Sequence, residues 1–135
     1  MRRPMINTRL LMASSGAAMA VLGAALTFLP QVIAKGFAIS PAGASPTFLQ
    51  LLGALYLAYG MLNWIAKANP MGGIYGRPIG LANMVHFTVG ALALARELMT
   101  RPPVAPLLAL AATYVVFAVL FARVVFGPPP FAKAR

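Results

Sequence analysis

The sequence predicts an all-α integral membrane protein: four transmembrane helices in an antiparallel up-down bundle, with both termini cytoplasmic. Three observations predict it. Of 135 residues, 61% are hydrophobic and only 9% are charged, and the mean hydropathy is +0.83. A water-soluble domain carries about 45–50% apolar and about 25% charged residues, so both figures depart toward a lipid solvent. The apolar residues gather into four runs, each close to the roughly 20 residues that a spanning helix needs. The basic residues sit at the ends of those runs, as flanking charges do in membrane proteins. Helices are favoured over strands because unpaired backbone groups are intolerable in hydrocarbon, and the runs are too long and continuous for barrel strands. The whole chain, 1–135, reads as one transmembrane domain with basic tails at 1–9 and 127–135.

The first span covers about 10–33. The preceding MRRPMINTR has the look of a secretory signal. The apolar run behind it is well beyond the roughly 7–15 residues of a signal core, so a retained helix is expected rather than a cleaved leader. Gly16, Ala20, Gly23, Ala24 and Thr27 give this span a smooth face, and Pro30 is placed to kink or terminate it. Residues 34–46 form the longer external loop, and Pro41 and Pro46 break the chain before the second span, 47–66. There Gly53, Tyr56, Gly60, Asn63 and Lys67 follow at alternating steps of three and four, a single stripe on a bundle helix. Pro70, Gly72, Gly73, Gly76 and Pro78 punctuate the connection to the third span, 79–98, where Asn83, His86, Gly90, Ala93 and Glu97 repeat the same steps. Pro102 and Pro103 precede the fourth span, 104–126, whose small-residue stripe is Ala105, Ala109 and Ala112; Gly127 and three prolines end it.

Orientation follows from the eleven basic residues. Arg2, Arg3, Arg9, Lys67, Arg77, Arg123, Lys133 and Arg135 fall on one side of a four-span chain, and Lys35, Arg96 and Arg101 on the other. The richer side is cytoplasmic. A net charge of +10 in a soluble protein would suggest nucleic acid. Here the charges flank lipid-facing runs, so the expected partner is anionic lipid and no nucleic acid is expected.

Polar, aromatic and glycine residues crowd together in one place, NWIAKANPMGGIYGRPIGLANMVH, from Asn63 to His86. The second and third spans are antiparallel, so Asn63, Asn83 and His86 are expected at similar depth, with Tyr59 and Trp64 beside them. This stretch is most simply a helical hairpin whose legs meet through buried polar side chains. Its turn has two readings. One is a tight connection across the membrane surface. The other is a nest of backbone N–H groups at Gly72, Gly73, Tyr75 and Gly76 that grips a lipid phosphate or another anion together with Lys67 and Arg77. It is not a nucleotide P-loop, because no GxxxxGK[ST] pattern occurs.

The chemical inventory is thin. Glu97 is the only acidic residue, His86 the only histidine, and there is no cysteine. Two-carboxylate chemistry, a Ser-His-Asp set, a bis-histidine haem and a multi-ligand zinc site cannot be built from one protomer. No metal or cofactor is expected, and Glu97 is expected to pair with Arg101, four residues on, or with Lys35. His86 has a packing reading, in which Asn63, Asn83 or a tyrosine hydroxyl satisfies it. It also has a ligand reading, in which it meets a quinone carbonyl, a headgroup or a pigment magnesium, and a more distant proton-relay reading.

GALYLAYGMLNWIAK, followed by GGIYGRP and NMVHF, resembles the small bacterial four-helix membrane proteins grouped as DoxX-like, over roughly Leu51 to Leu98. That resemblance implies four antiparallel membrane helices and little about activity. The Ala, Gly and Pro-rich vocabulary also fits a GC-rich bacterial genome, hence the inner membrane. The functional expectation is a non-enzymatic accessory subunit of a larger membrane complex, for example an energy-transducing one. The alternative is a stand-alone binder of lipid or a small hydrophobic molecule, using the polar residues between the second and third spans.

Overall fold

The computed structural model describes residues 6–40, 45–69 and 76–127. Five helices succeed one another: α1 (Thr8–Phe28), α2 (Pro30–Gly36), α3 (Pro46–Ala66), α4 (Gly76–Thr100) and α5 (Ala105–Phe126). α1, α3, α4 and α5 are each long and apolar enough to cross a membrane, so the chain is an all-α multi-pass membrane protein.

Local chemistry sets the helix ends. The Asn7 side chain caps α1, accepting from the Leu10 N–H at 3.1 Å. The single first span expected over 10–33 is corrected to two helices. Pro30 has no N–H and crowds the preceding turn, so Leu29 leaves the helical region (φ −128°, ψ 44°) and the chain restarts with Pro30 at the first position of α2. Beyond α2, Ala38 takes a left-handed φ of 51° and its carbonyl accepts from Arg101 Nη1 at 3.3 Å. Ser45 caps α3 through the Thr47 N–H at 3.3 Å, with Pro46 in the first turn. α4 begins earlier than the expected residue 79, because Pro78 lies in its first turn, where a missing N–H costs nothing. At its other end Glu97 and Arg101 form the expected ion pair, at 2.7 Å.

α1 packs along α3, and α4 along α5. The first pair is in backbone contact. A Cβ placed on Gly16 would lie 2.9 Å from the Gly60 carbonyl oxygen, and one on Gly23 would lie 2.8 Å from that of Gly53. Residue numbers rise on α1 as they fall on α3, so the two run antiparallel. The smooth face read from Gly16 and Gly23 and the stripe through Gly53, Gly60 and Asn63 are thus two halves of one seam. The second pair is built differently. Phe87 of α4 lies among Phe117, Phe121 and Tyr114 of α5, with ring centroids 4.9, 5.7 and 5.2 Å away, and the Tyr114 ring fills the space above Gly90. The expected small-residue stripe of α5 is corrected here. Ala105, Ala109 and Ala112 are exposed, and the buried face is Leu107, Ala111, Tyr114, Phe117 and Phe121. The α4 stripe likewise fails at Ala93, which is exposed. Rings from α5 sit over a glycine on α4, so this interface joins large to small rather than small to small.

Candidate functional site

The polar residues of α3 and α4 meet in the centre of the bundle. Asn63 and Asn83 are both fully buried. Each amide donates to the other: Asn63 Nδ2 to Asn83 Oδ1 at 2.7 Å, and Asn83 Nδ2 to Asn63 Oδ1 at 2.8 Å. The second amide hydrogens are also placed. Asn63 donates to Ser15 Oγ of α1 at 3.2 Å, and Asn83 to the Ile79 carbonyl at 2.9 Å. Ser15 Oγ in turn donates to the Met12 carbonyl at 3.1 Å. Three helices are joined through one closed network, and both amides have their full set of donors satisfied.

His86 lies one turn further along α4. Because α3 runs the other way, that step leads back from Asn63 toward Tyr59 and Tyr56. His86 therefore does not bond to Asn63, as its expected placement implied. Its Nε2 is 3.1 Å from the Tyr114 hydroxyl, its ring stacks on Tyr59 at 5.4 Å, and it meets Tyr56 edge-on at 5.5 Å. The Tyr114 hydroxyl also bonds to that of Tyr56. The result is a chain of three polar groups, His86, Tyr114 and Tyr56, drawn from three helices.

Trp64 does not join this cluster. One residue turns a helix by about 100°, so the neighbour of buried Asn63 points outward; Trp64 is 51% exposed, and its ring carries the Lys67 ammonium 3.1 Å from its centroid. Of the expected headgroup loop, Gly72, Gly73 and Tyr75 lie outside the described residues. Gly76 is buried as the first residue of α4, and Arg77 follows it, exposed and helical. Neither is therefore part of an irregular loop. Among the described residues no group of three His, Cys, Asp or Glu side chains could hold a metal.

Sequence reasoning missed two members of the core. Ser15 was hidden beside Gly16 in a face read as merely smooth. Tyr114 sits in an apolar run whose regular feature is its alanines. The signal for Tyr114 was Gly90 on the facing helix, a gap that needs a large partner.

The structure also has a crevice that no sequence pattern announced. α1 and α5 meet sparingly, and between them opens a cavity of about 490 Å³. Ala18 and Leu22 line it from α1, Ala109 and Leu110 from α5, and buried Tyr114 and Phe87 form its inner wall beside Tyr56. The exposed Ala109 of α5 thus borders this crevice rather than a packed seam. No family model, curated protein or solved structure matches the chain.

Proposed function

We propose that this chain is a non-enzymatic, multi-pass protein of the bacterial inner membrane that serves as an accessory subunit of a larger membrane complex. Both termini are cytoplasmic in this reading, and anionic lipids surround it. One observation carries the proposal. The polar side chains that looked available for chemistry are engaged with one another inside the bundle, whereas the α1–α5 seam is open and bordered by alanines. Membrane helices associate through such small residues, because lipid supplies no hydrophobic drive between them. A partner's transmembrane helix is the occupant that this seam suits. The DoxX-like resemblance agrees with the four-helix scaffold and is silent on the partner.

A second reading has its own observation. Tyr56 and Tyr114, linked to His86, stand beside the crevice near the middle of their helices. A neutral apolar molecule with one hydrogen-bond acceptor fits that setting, and the crevice falls within the roughly 300–1,000 Å³ of ordinary ligand sites.

One experiment separates the readings. The tagged chain is purified in mild detergent beside Ala109→Leu, which fills the crevice without touching the asparagine network. The subunit reading expects a larger assembly of fixed stoichiometry that Ala109→Leu disrupts. The ligand reading expects a lone particle that retains a small lipophile, which Ala109→Leu loses. A lone particle with nothing bound contradicts both.

A further inference from the structure

Between the start of α1 and the end of α3 lies a second cavity, of about 250 Å³ and open to the surface, lined by Asn7, Arg9, Leu10, Ala13 and Lys67. We propose that this cavity is a phosphate-binding site, occupied by the headgroup phosphate of an anionic membrane lipid.

Charge is the first argument. Two basic residues, Arg9 and Lys67, line one small space. The only acidic residue of the chain, Glu97, is paired with Arg101 near the far end of α4, so no carboxylate of this protein balances them. Two like charges around one cavity repel, and an anion between them turns that repulsion into two attractions. The second argument is preorganisation. The Lys67 ammonium is already held over the Trp64 ring, 3.1 Å from its centroid, so less side-chain freedom is lost when it grips a ligand. Backbone dipoles add to the charges. With Asn7 as its cap, α1 directs the N–H groups of its first turn, and the positive end of its dipole, toward the same end of the bundle.

The gradient of the walls selects a lipid over a free ion. Asn7, Arg9 and Lys67 make the polar rim, while Leu10 and Ala13 continue down α1 into the apolar span, with Leu10 65% exposed. A phospholipid has the same order, charge above and hydrocarbon below. The depth agrees as well: Arg9 is in the first turn of α1, and Lys67 directly follows α3, where spans meet the membrane surface. The proposed site thus shares Lys67 with the headgroup loop expected from the sequence, and joins it to Asn7 and Arg9.

Native mass spectrometry on the full chain tests this, with phosphatidylglycerol, phosphatidylcholine and inorganic phosphate as probes. The expected result is one phosphatidylglycerol retained in preference to phosphatidylcholine. Arg9→Gln and Lys67→Gln should each weaken retention about fivefold, the worth of one near-surface charge, and Lys67→Arg should restore most of it. Arg77→Gln and Arg123→Gln remove cations from the same end that do not line the cavity, and should have smaller effects. Competition by inorganic phosphate distinguishes the source. Lipid that resists it is bound through headgroup and chain together, whereas displacement assigns the same site to free phosphate. Equal losses from all four Gln variants, or no preference for phosphatidylglycerol, would overturn the proposal, because the end would then act only as a diffuse positive surface.

Discussion

Asn63 and Asn83 are each placed so that removing one takes a hydrogen-bond partner from the other at a fully buried position. A buried polar group without its partner costs about 1–3 kcal/mol, whereas an intact interhelical polar contact in a membrane contributes only about 0.6 kcal/mol on average. Asn63→Leu and Asn83→Leu should therefore each destabilise the bundle by about 2 kcal/mol, and the double variant by clearly less than the sum. A double-mutant cycle of unfolding in micelles measures this, and strict additivity would show that the two amides act independently. His86 differs because it bonds to a hydroxyl, and Tyr114 keeps Tyr56 as a partner when it leaves. His86→Gln preserves a donor and an acceptor and should cost about 0.6 kcal/mol or less; His86→Leu should cost more, by the same unfolding assay. At this scale the asparagine pair was legible, because polar residues at bundle spacing on two antiparallel spans have few places to go. For His86 a tyrosine hydroxyl was among the partners the sequence offered, and Tyr114 supplies it, but which tyrosine was not legible. It depends on which way a ring on α5 points, and that is decided by the space over Gly90.

The two helix pairs hold together by opposite means. α1 and α3 approach until backbone meets backbone, which only glycine permits at their crossing points. A methyl on Gly23 would lie 2.6 Å from the Leu57 backbone nitrogen, and one on Gly60 would lie 2.8 Å from that of Ala20. Neither neighbour is a movable side-chain tip, so the helices must separate. Gly23→Ala and Gly60→Ala should each cost about 1–3 kcal/mol, the usual range for overpacking. Gly36 is the internal control. Nothing lies within 4 Å of a methyl there, and no described glycine has a positive φ. Gly36→Ala in α2 should be neutral, or stabilising by up to about 1 kcal/mol. Thermal unfolding in detergent compares the three, and equal behaviour at Gly23 and Gly36 would contradict the close approach. The glycine seam was legible because glycines recur at bundle spacing on both spans, whereas the equally regular alanines of α5 are exposed. The aromatic seam was not, since apolar rings in a lipid-soluble helix suit the lipid face as well as the core. Pro30 was legible as an interruption, but whether it would bend the first span or divide it depended on Leu29, a good helix former that the proline pushes out of the helical region.

Taken whole, the molecule is two antiparallel pairs bridged by the asparagine network, with a cleft along the α1–α5 seam. Its ends are unlike. Arg9, Lys67, Arg77 and Arg123 gather at one, where no acid answers them, and Lys35 and the Glu97–Arg101 pair lie toward the other. Four spans and the bias of basic residues were both evident in composition and punctuation, because a lipid solvent imposes them on every residue. The cleft was not evident, since it lies where α1 and α5 meet only sparingly and no single helix encodes that. In the proposed topology α3 and its neighbours cross the membrane in alternation, with the richly basic end in the cytoplasm. Single cysteines test it in a chain that has none. They are placed at Ser45, just before α3, and at Asn69, just after it, both exposed. A membrane-impermeant maleimide added to intact cells should label the Ser45→Cys protein at once, and the Asn69→Cys protein only after permeabilisation. Labelling of both from the same side would contradict the four-span account.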